Sequence, residues 1–114
     1  MPRRLDAGDR TQFTHVPVQD LDRARLVTVP VLTPGIAGMT LGRWILLRRG
    51  HEHDRDLIAH ELVHVRQWRE LGAVRFLVRY LGAYARGRWR GLGHQAAYEA
   101  IPLEAEARRA VAGR

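Results

Sequence analysis

The sequence contains no cysteine and no lysine. The missing thiols exclude disulfides, thiolate metal sites and cysteine nucleophiles together, so a bound metal must be held by histidine or carboxylate. No apolar run approaches the roughly 20 residues needed to span a bilayer. The first ten residues, MPRRLDAGDR, are charged and have no apolar stretch, so no signal peptide is expected and the cytoplasm is the default location. All 19 basic side chains are arginine, and the net charge is +7. A basic balance fits nucleic acid or an acidic membrane surface. Biased genome composition accounts for arginine without lysine equally well.

What remains is ordinary for a soluble fold. At 114 residues, with 46% hydrophobic and 27% charged side chains, the chain suits one globular domain. Residues 1–24 are polar with little periodicity and read as a loosely ordered lead-in to a single domain over 25–114. ARLVTVPVL (24–32) is β-branched and apolar, and MTLGRWILLRR (39–49) reads as a second strand after the turn chemistry of TPGIAG. The pair predicts a hairpin or small antiparallel sheet. A helix is expected from about 55 to a stop at Gly72, with Asp54 or Asp56 as its cap. Val74, Leu77, Val78 and Leu81 then recur at helical spacing over 73–86, with arginines opposite. A short helix over 94–101 and another beginning at Pro102 complete an α+β outline.

The informative stretch is DLIAHELVHVRQW, residues 56–68. His60, Glu61 and His64 interrupt an apolar run, where polar groups cost free energy unless partnered. On a helix, His60 and His64 project from one face, one turn apart, and can bind one zinc ion through their ring nitrogens. Glu61 then reaches a water activated by that ion and can take its proton as the water attacks a carbonyl. Three protein ligands are usual for catalytic zinc, so one more is needed. The metzincin extension would require Gly at 67 and His at 70. The chain has Gln67 and Glu70, which excludes that class. The residues leave His94, Glu99, Glu104 and Glu106 open. After Pro102, both glutamates of PLEAE also sit where a helix dipole favours negative charge.

MTLGRWILLRRG and LIAHELVHVRQW together resemble the strand-then-helix core of small bacterial zincins. They are similar in particular to the metallopeptidase-like domain found with contractile injection systems. IPLEAEARR resembles the glutamate helix of gluzincins. The resemblance, over roughly 38–112, implies a minimal zincin-like fold: a small antiparallel sheet, an active-site helix and two or three further helices. It implies Zn2+ held by His60, His64 and Glu104, with Glu61 as general base. Ala107 matches the small residue of that helix, whereas Arg108 stands where an acid commonly buttresses a zinc-bound histidine.

Other positions carry two readings each. Tyr98 can donate to the oxyanion of a tetrahedral intermediate or simply pack with its hydroxyl satisfied. His94 has the same two roles open, and His51 and His53 are a metal-binding pair or solvated loop histidines. Thr40, Leu41, Gly42 and Arg43 lie on a strand able to pair with an extended peptide, or on an internal core strand. Arg75, Arg79, Arg86, Arg88 and Arg90, interleaved with Phe76, Tyr80, Tyr84 and Trp89, fit nucleic acid or a solvated helix face. The expected function is a zinc-dependent peptidase acting on a peptide or protein substrate. The alternatives are a zincin-fold metal-binding or interaction module with little turnover, and an arginine-rich nucleic-acid-binding protein.

Overall fold

The computed structural model describes residues 2–113. Its sheet has three strands, β1 (Arg25–Val29), β2 (Gly38–Leu41) and β3 (Trp44–Arg48), in the order β1-β3-β2. The stretch expected as one strand over 39–49 is itself a hairpin. Gly42, at φ 64°, and Arg43 form its two-residue turn. β2 pairs antiparallel with β3, but β1 pairs parallel with β3, so the sheet is mixed rather than antiparallel. The connection after β1 carries the chain past β3 to the far edge, which local turn chemistry does not report. Leu26, Ile45 and Leu47 are fully buried in the core.

Residues 2–24 are not a loose lead-in. They include helices α1 (Ala7–Gln12) and α2 (Val18–Arg23), and they place Leu5, Phe13, Val16 and Leu21 in the core. Arg3 exchanges backbone hydrogen bonds of 2.8 and 2.9 Å with Leu26, covering the outer edge of β1. β2 is therefore the edge that no strand covers among the described residues. Asp20, with no solvent exposure, receives a two-pronged contact from Arg69, Nε to Oδ1 at 2.7 Å and Nη2 to Oδ2 at 2.9 Å.

Helix α3 (Arg55–Trp89) starts at the Asp54 cap, whose Oδ1 accepts from the Leu57 amide at 3.1 Å. Its first half buries Ile58, Ala59, Leu62, Val63 and Val65 in the core. At Gly72 the backbone leaves the helical region, with φ 80° and ψ 161°, values open essentially only to glycine. The helix turns sharply there. His64 and Tyr80 are sixteen residues apart, about 24 Å along a straight helix, yet their ring centroids lie 6.3 Å apart. The second half thus folds back over the first. Helices α4 (His94–Glu99) and α5 (Pro102–Ala112) follow, and α5 packs along α3 with Ala107 fully buried.

That turn decides which face of the second half is inside. Phe76 and Gly87 are buried and Tyr80 is half-buried, whereas Val74, Leu77, Val78 and Leu81 are 76%, 40%, 67% and 58% exposed. The helical period expected for these four residues is present, but their stripe faces outward.

Candidate metal centre

The i, i+4 spacing puts His60 and His64 on the face of α3 toward α5, with ring centroids 5.0 Å apart. Possible ligand atoms of His60, Glu61 and His64 lie within 4.8 Å of one another. Pro102 starts α5, so Glu104 falls in its first turn and points back at both histidines. Glu104 Oε1 is 2.7 Å from His60 Nε2, and Oε2 is 3.1 Å from His64 Nε2. Ligand atoms about 2 Å from a tetrahedral zinc ion are about 3.3 Å apart, so small shifts would admit one ion.

The chemistry of His64 tests that fit more sharply. Gln67 Nε2 donates to Leu103 O at 3.1 Å and to Glu106 Oε1 at 2.9 Å. Its Oε1 therefore faces His64 Nδ1 at 2.7 Å and accepts a hydrogen bond from the Nδ1–H. In the neutral ring this leaves Nε2 as the unprotonated nitrogen. It is buried, and its nearest polar neighbour is the Glu104 carboxylate, Oε2 at 3.1 Å, which is not aligned as a hydrogen bond. A buried lone pair so placed is what a metal-ligating imidazole presents. The residues fit a divalent ion held by His60, His64 and Glu104.

Glu61 lies beside this trio, with its carboxylate engaged by β2. The Thr40 hydroxyl donates to Glu61 Oε1 at 2.8 Å and has Glu61 O within 3.2 Å. β2 approaches this closely because residue 38 is glycine. A Cβ there would lie 3.1 Å from Leu57 Cδ1 and 3.4 Å from Glu61 Cγ. Burial pushes the Glu61 carboxyl above its usual range, against the opposing pull of His64, His60 and Thr40. Burial would also raise Glu104, but hydrogen bonding to His60, the close approach and charge of His64, and Tyr80 together hold it well below the carboxylate range. The opposite settings separate a proton acceptor from a permanent anion. For His64, burial favours the neutral ring while Glu104 pulls harder toward the charged one, so the net shift is upward.

Two tyrosines complete the wall. The Tyr80 hydroxyl donates to Glu104 Oε2, and Tyr98 borders the same carboxylate. Burial, then the Glu104 charge, pushes both phenols above their ordinary value, so both remain proton donors. Trp68, Phe76 and Tyr80 form a stack, with centroid spacings of 4.3 and 5.4 Å, and His64 meets Phe76 and Tyr80 edge-on.

Two cavities meet at the centre. One of about 560 Å³ lies on the His60 side between Gly35, Asp56, His94 and Arg108. The other, of about 170 Å³, lies on the His64 side between Met39, Leu41, Phe76 and Leu81. Glu61, Tyr98 and Glu104 line both.

The remaining sequence candidates fall outside the cluster. His94 Nδ1 contacts the Tyr84 hydroxyl at 2.8 Å, and Glu99 accepts from Gln95 at 3.0 Å, both on the cavity rim. Glu106 accepts from Gln67 and Arg66. Arg108 donates to Glu99 O at 2.6 Å, so the buttressing role expected of an acid there is taken by Gln67. Thr40 turns its side chain to Glu61, and Leu41 lines the apolar cavity. Gly42 and Arg43 form the hairpin turn, with Arg43 Nε donating to Arg23 O at 2.9 Å, and line neither cavity. His51 lies 3.8 Å from Asp54. Sequence reasoning missed Tyr80 and Gln67. For Gln67 a signal existed, since it sits three residues after His64 on the same helical face.

A family model for the eCIS core domain matches residues 4–72, more than half of the chain. The chain belongs to the eCIS core domain family. Membership associates this eCIS core chain with contractile injection systems and implies assembly with other components of such a system. No curated protein and no solved structure matches it. The matched segment takes in α1, α2, the sheet and α3 as far as Gly72, including His60, Glu61, His64 and Gln67. It reaches well before residue 38, where the resemblance seen in the sequence began. Tyr80, Tyr98 and Glu104 lie beyond it.

Proposed function

We propose that this eCIS core domain is a zinc-dependent peptidase of gluzincin type. His60, His64 and Glu104 would hold the ion. The observation that carries the reading is the buried Nε2 of His64, which faces Glu104 Oε2 at 3.1 Å without an aligned hydrogen bond while Gln67 engages Nδ1. Bound zinc would act as a Lewis acid that polarises a carbonyl and acidifies water.

The chain's own residues supply the rest. Glu61, buried and hydrogen-bonded by Thr40, accepts a proton from water and returns it to the leaving amine. Thr40 carries one hydroxyl proton and has two acceptors, Glu61 Oε1 and Glu61 O. It can turn to the carbonyl oxygen as Glu61 becomes protonated, so neither state leaves a buried group unpaired. Tyr80 steadies Glu104, and Tyr98, lining both cavities, is placed to donate to charge developing on a carbonyl oxygen. An extended peptide would lie along the uncovered edge of β2, crossing from one cavity to the other.

The test is metal analysis of the purified protein beside His60→Ala and Glu61→Gln. Stoichiometric zinc is expected in wild type and in Glu61→Gln, with loss in His60→Ala. Peptide hydrolysis should fall by about 10²-fold or more in Glu61→Gln. A protein with full zinc and no hydrolysis of any peptide library would favour a metal-holding interaction module instead.

A further inference from the structure

The second half of α3 has three distinct faces. At about 100° per residue, Phe76, Tyr80, Ala83 and Gly87 turn inward. Val74, Val78, Leu81 and Ala85 form an outward apolar stripe, with Leu77 on its flank toward the cavity that contains Tyr80 and Phe76. On the stripe's other flank run Arg75, Arg79, Arg86 and Arg90, all exposed. None of these four arginines makes an ion pair among the described residues, and the chain has no acid between Glu70 and Glu99. The surface is therefore bounded by a row of unpaired cations on one side and by a concave apolar groove on the other.

We infer that this face of α3 is a docking surface for an amphipathic helix of a partner protein, apolar on its buried side and acidic along one edge. The apolar stripe and the groove accept the hydrophobic side chains, and the arginine row accepts the carboxylates. From Arg75 to Arg90 the row spans sixteen residues, about 22 Å of helix, which suits a partner helix of about four turns. Four exposed arginines line one flank and Arg88 alone lies on the other, toward the groove, an asymmetry unlike a helix lying on a bilayer, where basic residues border the apolar face on both sides. A second copy of this chain has no acidic edge to offer from the same face. His64 and Glu104 line the inner wall of the groove, but the outward stripe and the arginine row lie outside the metal centre. Helix binding is read without zinc or hydrolysis, so its failure is distinguishable from failure of the peptidase reading.

Fluorescence anisotropy with three labelled synthetic helices tests it. All three share one leucine face, and their edge carries glutamate, glutamine or arginine. The glutamate-edged helix should bind wild type at least about tenfold more tightly than the glutamine-edged one, and less tightly as salt rises. R75E/R79E should lose that preference and bind the arginine-edged helix instead. V78E/L81E should lose binding of the glutamate-edged helix, with its circular dichroism unchanged. Equal affinity for the glutamate and glutamine edges would overturn the inference. So would flotation with vesicles of phosphatidylcholine and phosphatidylglycerol in the absence of helix binding, or sedimentation as a dimer that V78E/L81E abolishes.

Discussion

Gln67 Oε1 lies 2.7 Å from His64 Nδ1 and sets which nitrogen of that ring carries the proton. The amide is itself oriented by Leu103 and Glu106 on α5, the helix that also carries Glu104. One glutamine thus couples the tautomer of a histidine to the position of the helix that faces it. Gln67→Leu should lower zinc affinity by about 10- to 100-fold, measured by competition with a chelating dye. Unchanged affinity would show that His64 does not depend on this contact.

The Thr40 hydroxyl favours the ionised form of Glu61 against the effect of burial. Thr40→Val should therefore raise the carboxyl's pKa. A general base must be deprotonated to act, so the acidic limb of the rate profile should move to higher pH while zinc content stays constant. A limb that stays in place or moves to lower pH would contradict the assignment of Glu61 as the base.

Gly72 occupies φ 80° and ψ 161°, and open space surrounds its Cα, so a larger residue there pays in backbone strain rather than in collision. Gly72→Ala should destabilise the fold by about 1–3 kcal/mol, read by urea denaturation. It should also weaken zinc binding, because straightening α3 withdraws Tyr80 from Glu104. Wild-type values of both would mean that the turn does not depend on glycine.

Asp20 is wholly buried and faces Arg69 through two hydrogen bonds. Arg69→Ala strands that carboxylate and should cost about 3–5 kcal/mol, freeing α2 from α3. Proteolysis should then cut within residues 1–24 before the rest. Asp20→Asn paired with Arg69→Ala should recover part of the loss, since the stranded charge is gone.

The core of the centre was legible because it is local. His60, Glu61 and His64 follow from one helical turn, and Asp54 and Pro102 mark helix starts by their own chemistry. Glu104 was reached through likeness to a known pattern, and its contacts with both histidines are a matter of how α5 lies on α3. Tyr80 was hidden because Val74, Leu77, Val78 and Leu81 show the clearest apolar period in their helix, and the eye assigns that face to the interior. The turn at Gly72 presents Phe76 and Tyr80 instead. The N-terminal segment was misread because Leu5, Phe13, Val16 and Leu21 follow no single period, although each is buried.

Short-range physics therefore determined a great deal from sequence alone: the helix bearing the two histidines, its Asp54 cap, the strand at 25–29 and the exclusion of thiol chemistry. Tertiary structure decided the parallel pairing of β1 with β3, the inward face of the second half of α3, and the meeting of Gln67, Tyr80, Glu104 and Thr40 around one site. Helical spacing and capping depend on contacts a few residues apart, which a sequence displays directly. Direct contacts in the site join side chains as far as 44 residues apart, as His60 and Glu104 are. Their approach depends on which surfaces the whole chain can bury together.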